Sequence, residues 1–207
     1  MRHLVLVLAV IGCAAAFSAS SASAASILFI HESSGSGSLA GVPFDTSDFT
    51  IRATGDTNSR GFISGPDVYY IDHDTTTIEI DGLGTLTLLE GTTTFVNNMY
   101  AGVGFGRAGG SDLLDGPSDP AFATWDMLTS VGPVSGVGAA MQWGTGIQTD
   151  RGLLILDDNW IPGVDWDVPV TFQAIVEGAV AVPAPGAVLL VALGAGLVGR
   201  LRRRNTL

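Results

Sequence analysis

A period-2 alternation of apolar and polar residues recurs along the middle of this chain, and it limits the fold more than any other feature. Phe49, Ile51 and Ala53 alternate with Thr50, Arg52 and Thr54, and Ile78 and Ile80 with Thr77, Glu79 and Asp81. Leu86 and Leu88 alternate with Thr85 and Thr87, and Phe172, Ala174 and Val176 with Thr171, Gln173 and Ile175. Successive side chains of a strand point to opposite faces, so each segment predicts a half-buried strand. The unbroken runs Ile27–Ile30 and Leu153–Leu156 predict strands buried on both sides. Gly35-Ser36-Gly37, Gly55-Asp56, Gly65-Pro66, Asp81-Gly82, Asp115-Gly116-Pro117 and Pro162-Gly163 supply turn chemistry between them. One segment departs: Asp119 before Pro120 reads as the N-cap of a short helix. The expected fold is mainly β, one antiparallel β-sandwich or jelly-roll-like domain, without internal repeats.

Charge narrows the function. The 207 residues include nine arginines and no lysine, and all 20 acidic residues lie between Glu32 and Glu177. Only Arg52, Arg60, Arg107 and Arg151 offset them there, and so acidic a surface repels phosphate backbones and excludes nucleic acid as a partner. The mean hydropathy of +0.40 reflects apolar ends rather than an apolar middle.

Residues 1–24 read as a secretory signal peptide. Arg2 and His3 precede the apolar run Leu4–Ala16, and Ala22-Ser23-Ala24 forms an A-x-A site for signal peptidase. Val10-Ile11-Gly12-Cys13 has the outline of a lipobox, but its apolar run is short and the A-x-A site follows closely. Cys13 is the only cysteine, so cleavage leaves a chain without disulfides, held by an ordinary core or by a bound ion.

The C-terminal residues 182–207 have three parts in fixed order. Pro183-Ala184-Pro185 is a stiff joint, residues 178–199 carry no charge, and Arg200, Arg202, Arg203 and Arg204 close the segment. An apolar stretch of about 20 residues followed by arginines predicts one transmembrane helix with its basic end in the cytoplasm. This tail resembles the PEP-CTERM sorting signal of exported proteins in Gram-negative bacteria, in a VPxP-like form with Ala184 where the commonest form has Glu. The resemblance implies processing by an exosortase-type membrane protease near Pro183 and Pro185, and an association with exopolysaccharide. It further implies transit through the inner membrane to the cell surface or outside. Residues 25–181 are then the exported domain.

The middle offers few groups for chemistry. Gly104-Phe-Gly106-Arg-Ala-Gly109 has the spacing of a dinucleotide fingerprint, but Gly110, Gly116 and Pro117 leave no room for the helix it needs, so a glycine-rich loop or bulged strand is expected. His31 follows an apolar strand; His73 lies between Asp72 and Asp74, which should raise its pKa without making a triad. Thr75–Thr77 and Thr92–Thr94 read as strand-edge residues. Asp72 with Asp74, Asp157 with Asp158 and Asn159, and Asp165 with Asp167 are oxygen-rich clusters of the kind calcium takes; simple solvation is the competing account. Trp160 and Trp166, in a polar loop, suit glycan stacking, whereas Trp125 and Trp143 suit a core. The expected protein is a non-enzymatic structural or adhesion component of the cell surface or extracellular matrix. A calcium-dependent carbohydrate-binding module is the alternative, and a secreted polysaccharide hydrolase would need two carboxylates in one cleft.

Overall fold

A computed structural model describes residues 25–158 and 168–177, which lie in one compact unit spanning Ala24–Glu177. Its strands are β1 (Ser26–Leu39), β2 (Val42–Asp56), β3 (Gly61–Ile63), β4 (Val68–Ile80), β5 (Gly84–Thr87) and β6 (Thr92–Asn97), then β7 (Gly102–Arg107), β8 (Asp112–Ser118), β9 (Val131–Ala140), β10 (Ile147–Thr149), β11 (Gly152–Leu156) and β12 (Val168–Val176). A 3-10 turn at Pro120–Ala123 is capped by the Asp119 carboxylate, which accepts the Ala121 N–H at 2.8 Å, as the Asp-Pro pair predicts. The expected transmembrane helix and the cleavage sites at either end lie outside the described residues.

The fold is mainly β and antiparallel, but the sheet closes instead of dividing into two layers. Eight strands form the ring β1-β12-β9-β8-β7-β6-β4-β2, which the β1–β2 pairing shuts. Outside this ring, β3 and β5 flank β4, β11 adds to the far end of β1, and β10 adds to β11. Closure depends on the first hairpin. β1 and β2 pair from Ser26 opposite Asp56 to Leu39 opposite Val42. The outer edge of β1 takes β12 and that of β2 takes β4, so neither half of the sheet keeps a free edge between them.

Two glycine-containing segments expected to be turns lie inside the strands of this long hairpin. Gly35-Ser36-Gly37 lies inside β1 at a bulge, and a Cβ on Gly37 would stand 2.1 Å from the Ile155 carbonyl oxygen. Gly55 lies inside β2, where a Cβ would come within 2.7 Å of Ile71. Both are glycine because another chain segment passes close by, not because the chain reverses.

The barrel interior is filled. One apolar cluster contains Phe49, Ile51, Ile78, Ile80, Phe105 and Trp143; the other contains Ile27, Phe29, Ile71, Phe122, Trp125 and Phe172. Trp125 and Trp143 are core residues, as expected. The predicted alternations of β2, β4, β5 and β12 face inward as read, with Leu88 just beyond β5. The unbroken apolar runs behave differently from expectation: Leu28, Ile30, Leu153 and Ile155 lie on the outer face and are only partly covered, because a closed barrel has one interior and no second layer outside it. In β4 the inward phase changes. Thr54 pairs with Thr75 and Gly55 with His73, leaving Asp74 as the extra residue of a bulge. Ile71 therefore faces inward on the odd phase and Thr76, Ile78 and Ile80 on the even one.

Candidate functional site

The two histidines among the described residues meet inside the barrel. His31, on β1, is fully buried; His73 stands at the β4 bulge. Their Nε2 atoms lie 3.2 Å and 3.0 Å from the same Thr94 hydroxyl on β6. The His73 Nδ1 lies 2.9 Å from the Thr92 hydroxyl, which is 2.7 Å from that of Thr76. Phe105 of one apolar cluster and Phe29 and Phe172 of the other pack against the rings, with centroids 4.8–5.8 Å away. The network is a polar layer between two apolar ones.

Donor and acceptor counts set its direction. A neutral imidazole has one donor and one acceptor, and a hydroxyl has one proton. The direction that leaves no ring N–H unpaired runs from His31 Nε2–H to Thr94, from the Thr94 hydroxyl to His73 Nε2, from His73 Nδ1–H to Thr92, and from Thr92 to Thr76. It leaves the His31 Nδ1 lone pair as the unpaired buried atom. Both rings must stay neutral for this chain to hold. Burial lowers each pKa from 6.5 to about 3, with repulsion from His73 adding to the effect at His31. The flanking carboxylates were expected to raise the His73 pKa. The opposite holds, because Asp72 and Asp74 are exposed on the outer face while the ring is inside. Likewise Thr92–Thr94 are buried wall residues, not edge residues.

The described carboxylates of the oxygen-rich clusters do not gather at one place. Asp157 accepts the Ser36 hydroxyl at 2.6 Å, and Asp158 accepts the Trp143 backbone N–H at 2.8 Å. Among the described residues no three His, Cys, Asp or Glu side chains gather as a metal site. Asn159, Asp165, Asp167, Trp160 and Trp166 lie outside the described residues, as do Ala22, Ala24, Pro183, Pro185, Arg200, Arg202, Arg203 and Arg204.

A concave site lies elsewhere, on the outer face of β6, β7 and β8. β7 reads Gly102-Val103-Gly104-Phe105-Gly106, with Val103 and Phe105 inward and only glycines outward. Gly104 and Gly106 of the dinucleotide-like spacing thus lie in a strand with register shifts against β8 and Gly109 in the turn after it, as the reading of a glycine-rich loop or bulged strand expects. Cross-strand pairing gives each outer glycine two neighbours: Asn97 and Ser118 at Gly102, Phe95 and Asp115 at Gly104, Thr93 and Asp112 at Gly106. Phe95 covers Gly104, and Gly104 and Gly106 are buried, whereas beside Gly102 a groove of about 490 Å³ opens, lined also by Asn97, Tyr100, Asp115 and Ser118. Asp115 Oδ1 is buried here without a hydrogen-bond partner. Burial, and then Asp112 beside it, raise the Asp115 pKa from 3.8 to about 7. Sequence reasoning missed the groove because a bulged strand at Gly104–Gly109 does not by itself say that Gly102 leaves backbone bare beside Tyr100.

No family model matches the chain, and neither a curated protein nor a solved structure matches it.

Proposed function

We propose that this chain is a non-enzymatic component of the cell surface or extracellular matrix, exported through its N-terminal signal peptide and sorted by a C-terminal signal of the PEP-CTERM type. Its processing partners are signal peptidase and an exosortase-type membrane protease, and its destination is the exopolysaccharide-bearing surface. One observation supports this reading above the others. β1 and β12, the first and last strands, pair with each other from Ile27 opposite Val176, and the Glu177 N–H donates to the Ser26 carbonyl at 2.9 Å. The barrel therefore begins and ends at one place. Cuts after Ala24 and near Pro183–Pro185 remove none of the described strands and leave the clasp intact. The filled interior also gives the histidines no substrate to act on, since they bond to threonines within the core.

The test is fractionation of a host that carries an exosortase-type protease. Wild-type protein is expected outside the inner membrane. A variant lacking residues 200–204 is expected to stay with the membrane or to be lost. Equal distribution of the two contradicts the sorting role.

A further inference from the structure

We propose that the groove on the outer face of β6, β7 and β8 is a binding site for a neutral glycan chain, with the bare backbone at Gly102 on its floor. This inference stands apart from the sorting reading, since it uses only the barrel.

Glycine in a strand interior costs roughly 0.5–1 kcal/mol relative to alanine. Three on one face of one strand therefore call for a reason, and two have one within the fold. At Gly104 a Cβ would lie 2.3 Å from Phe95 Cζ and 2.6 Å from Asp115 Oδ1; at Gly106 it would lie 2.9 Å from the Ser111 carbonyl oxygen. Gly102 has none. Its backbone is not left-handed, and the nearest atom to an added Cβ is the mobile Ser118 hydroxyl at 3.2 Å. What a side chain at Gly102 would fill is the groove itself. Bare backbone at such a place is what close approach of a ligand requires.

The lining fits a sugar. Phe95 is partly exposed, and Tyr100 is 73% exposed although nothing in the barrel core needs it. Aromatic faces of this kind pack against the C–H faces of a pyranose. Asn97, Ser118, Asp112 and Asp115 line the groove and supply donors and acceptors for hydroxyls. Two carboxyl groups in an acidic domain disfavour an anionic chain. They also favour binding over hydrolysis. Glycoside hydrolysis needs carboxyl groups flanking the scissile bond, whereas Asp112 and Asp115 both rise from β8, on one wall of the groove.

The probe is a panel of neutral hexasaccharides (gluco-, manno- and galacto-configured), titrated at millimolar concentration into the barrel protein and followed through backbone amide NMR shifts. The expected result is saturable shifts at Gly102, Gly104 and the neighbouring β6 and β8 amides, with the sugar unchanged. Tyr100→Ala should weaken binding about tenfold. Gly102→Ala should abolish it while leaving the melting temperature near that of the wild type, because its Cβ meets only a hydroxyl that can move. Absence of shifts with every hexasaccharide overturns the proposal. So do shifts that survive both substitutions, binding confined to anionic chains, or cleavage of the sugar.

Discussion

His31 and His73 place their Nε2 atoms on the same hydroxyl oxygen, that of Thr94, from strands that lie on opposite sides of β2. A single neutral network thereby ties β1, β4 and β6 across the barrel interior. It bonds well only while neither ring carries a charge.

Acid should loosen this network in a defined window. Both histidines have folded pKa values lowered from 6.5 to about 3, so the unfolded chain binds two more protons between those values. Their contribution to stability is present above pH 6.5 and is lost as the pH falls towards 3. Asp115 acts in the opposite sense. Its folded pKa is raised from 3.8 to about 7, so its contribution is present below 3.8 and is lost as the pH rises through 7. Burial raises Asp112 in the same sense as Asp115; the more deeply buried histidines outweigh these two carboxyls, and the urea midpoint should fall between pH 6.5 and 4. A midpoint that is flat or rises on acidification contradicts the neutral-pair account.

Thr94→Val keeps the shape but removes the shared hydroxyl, leaving His31 with neither ring nitrogen paired. A buried polar group stripped of its partner costs about 1–3 kcal/mol. Urea unfolding should report a loss of that order, and Thr94→Ser should recover most of it. A loss below about 0.5 kcal/mol would mean that packing alone sets the layer.

Asp115→Asn separates the opposing carboxyl effect. At about pH 8 the native carboxylate is charged and partly desolvated beside Phe95, so a neutral amide should stabilise the fold by about 1 kcal/mol or more. At about pH 4 the carboxyl already carries its proton in the native state, and the gain should vanish. A gain independent of pH contradicts the raised pKa.

The sequence carried the strands more clearly than their closure. Alternation at Phe49, Ile51 and Ala53 or at Ile78 and Ile80 is local, and the inward faces follow from it directly. Closure depends on which edge each strand meets, which is non-local. It turned on Gly37 and Gly55, where the same residue type serves either a turn or a close approach. The polar layer was hidden for a similar reason. His31, His73 and Thr94 are separated by 21 to 63 positions, and the Asp74 bulge that aims His73 inward has no signature of its own. The bare face of β7 was legible in principle, since Gly102, Gly104 and Gly106 alternate with two apolar residues on a single strand, but which of them stays uncovered depends on Phe95 from β6.

The acidic residues proposed for calcium have roles that need no ion. Asp157 and Asp158 hold Ser36 and Trp143, and Asp72 and Asp74 are solvated on β4. Melting of the Ser26–Glu177 barrel in EDTA and then in millimolar calcium should agree within about one degree, since only preferential binding to the folded state raises the midpoint. A rise of several degrees would assign these carboxylates to an ion after all.

The most direct test of the exported, doubly processed protein is its intact mass when recovered from its host. The account predicts a mass that begins at Ala25 and ends before Arg200, with the barrel from Ser26 to Glu177 complete. A mass that retains Met1–Ala24, or that still includes Arg200–Arg204, contradicts it.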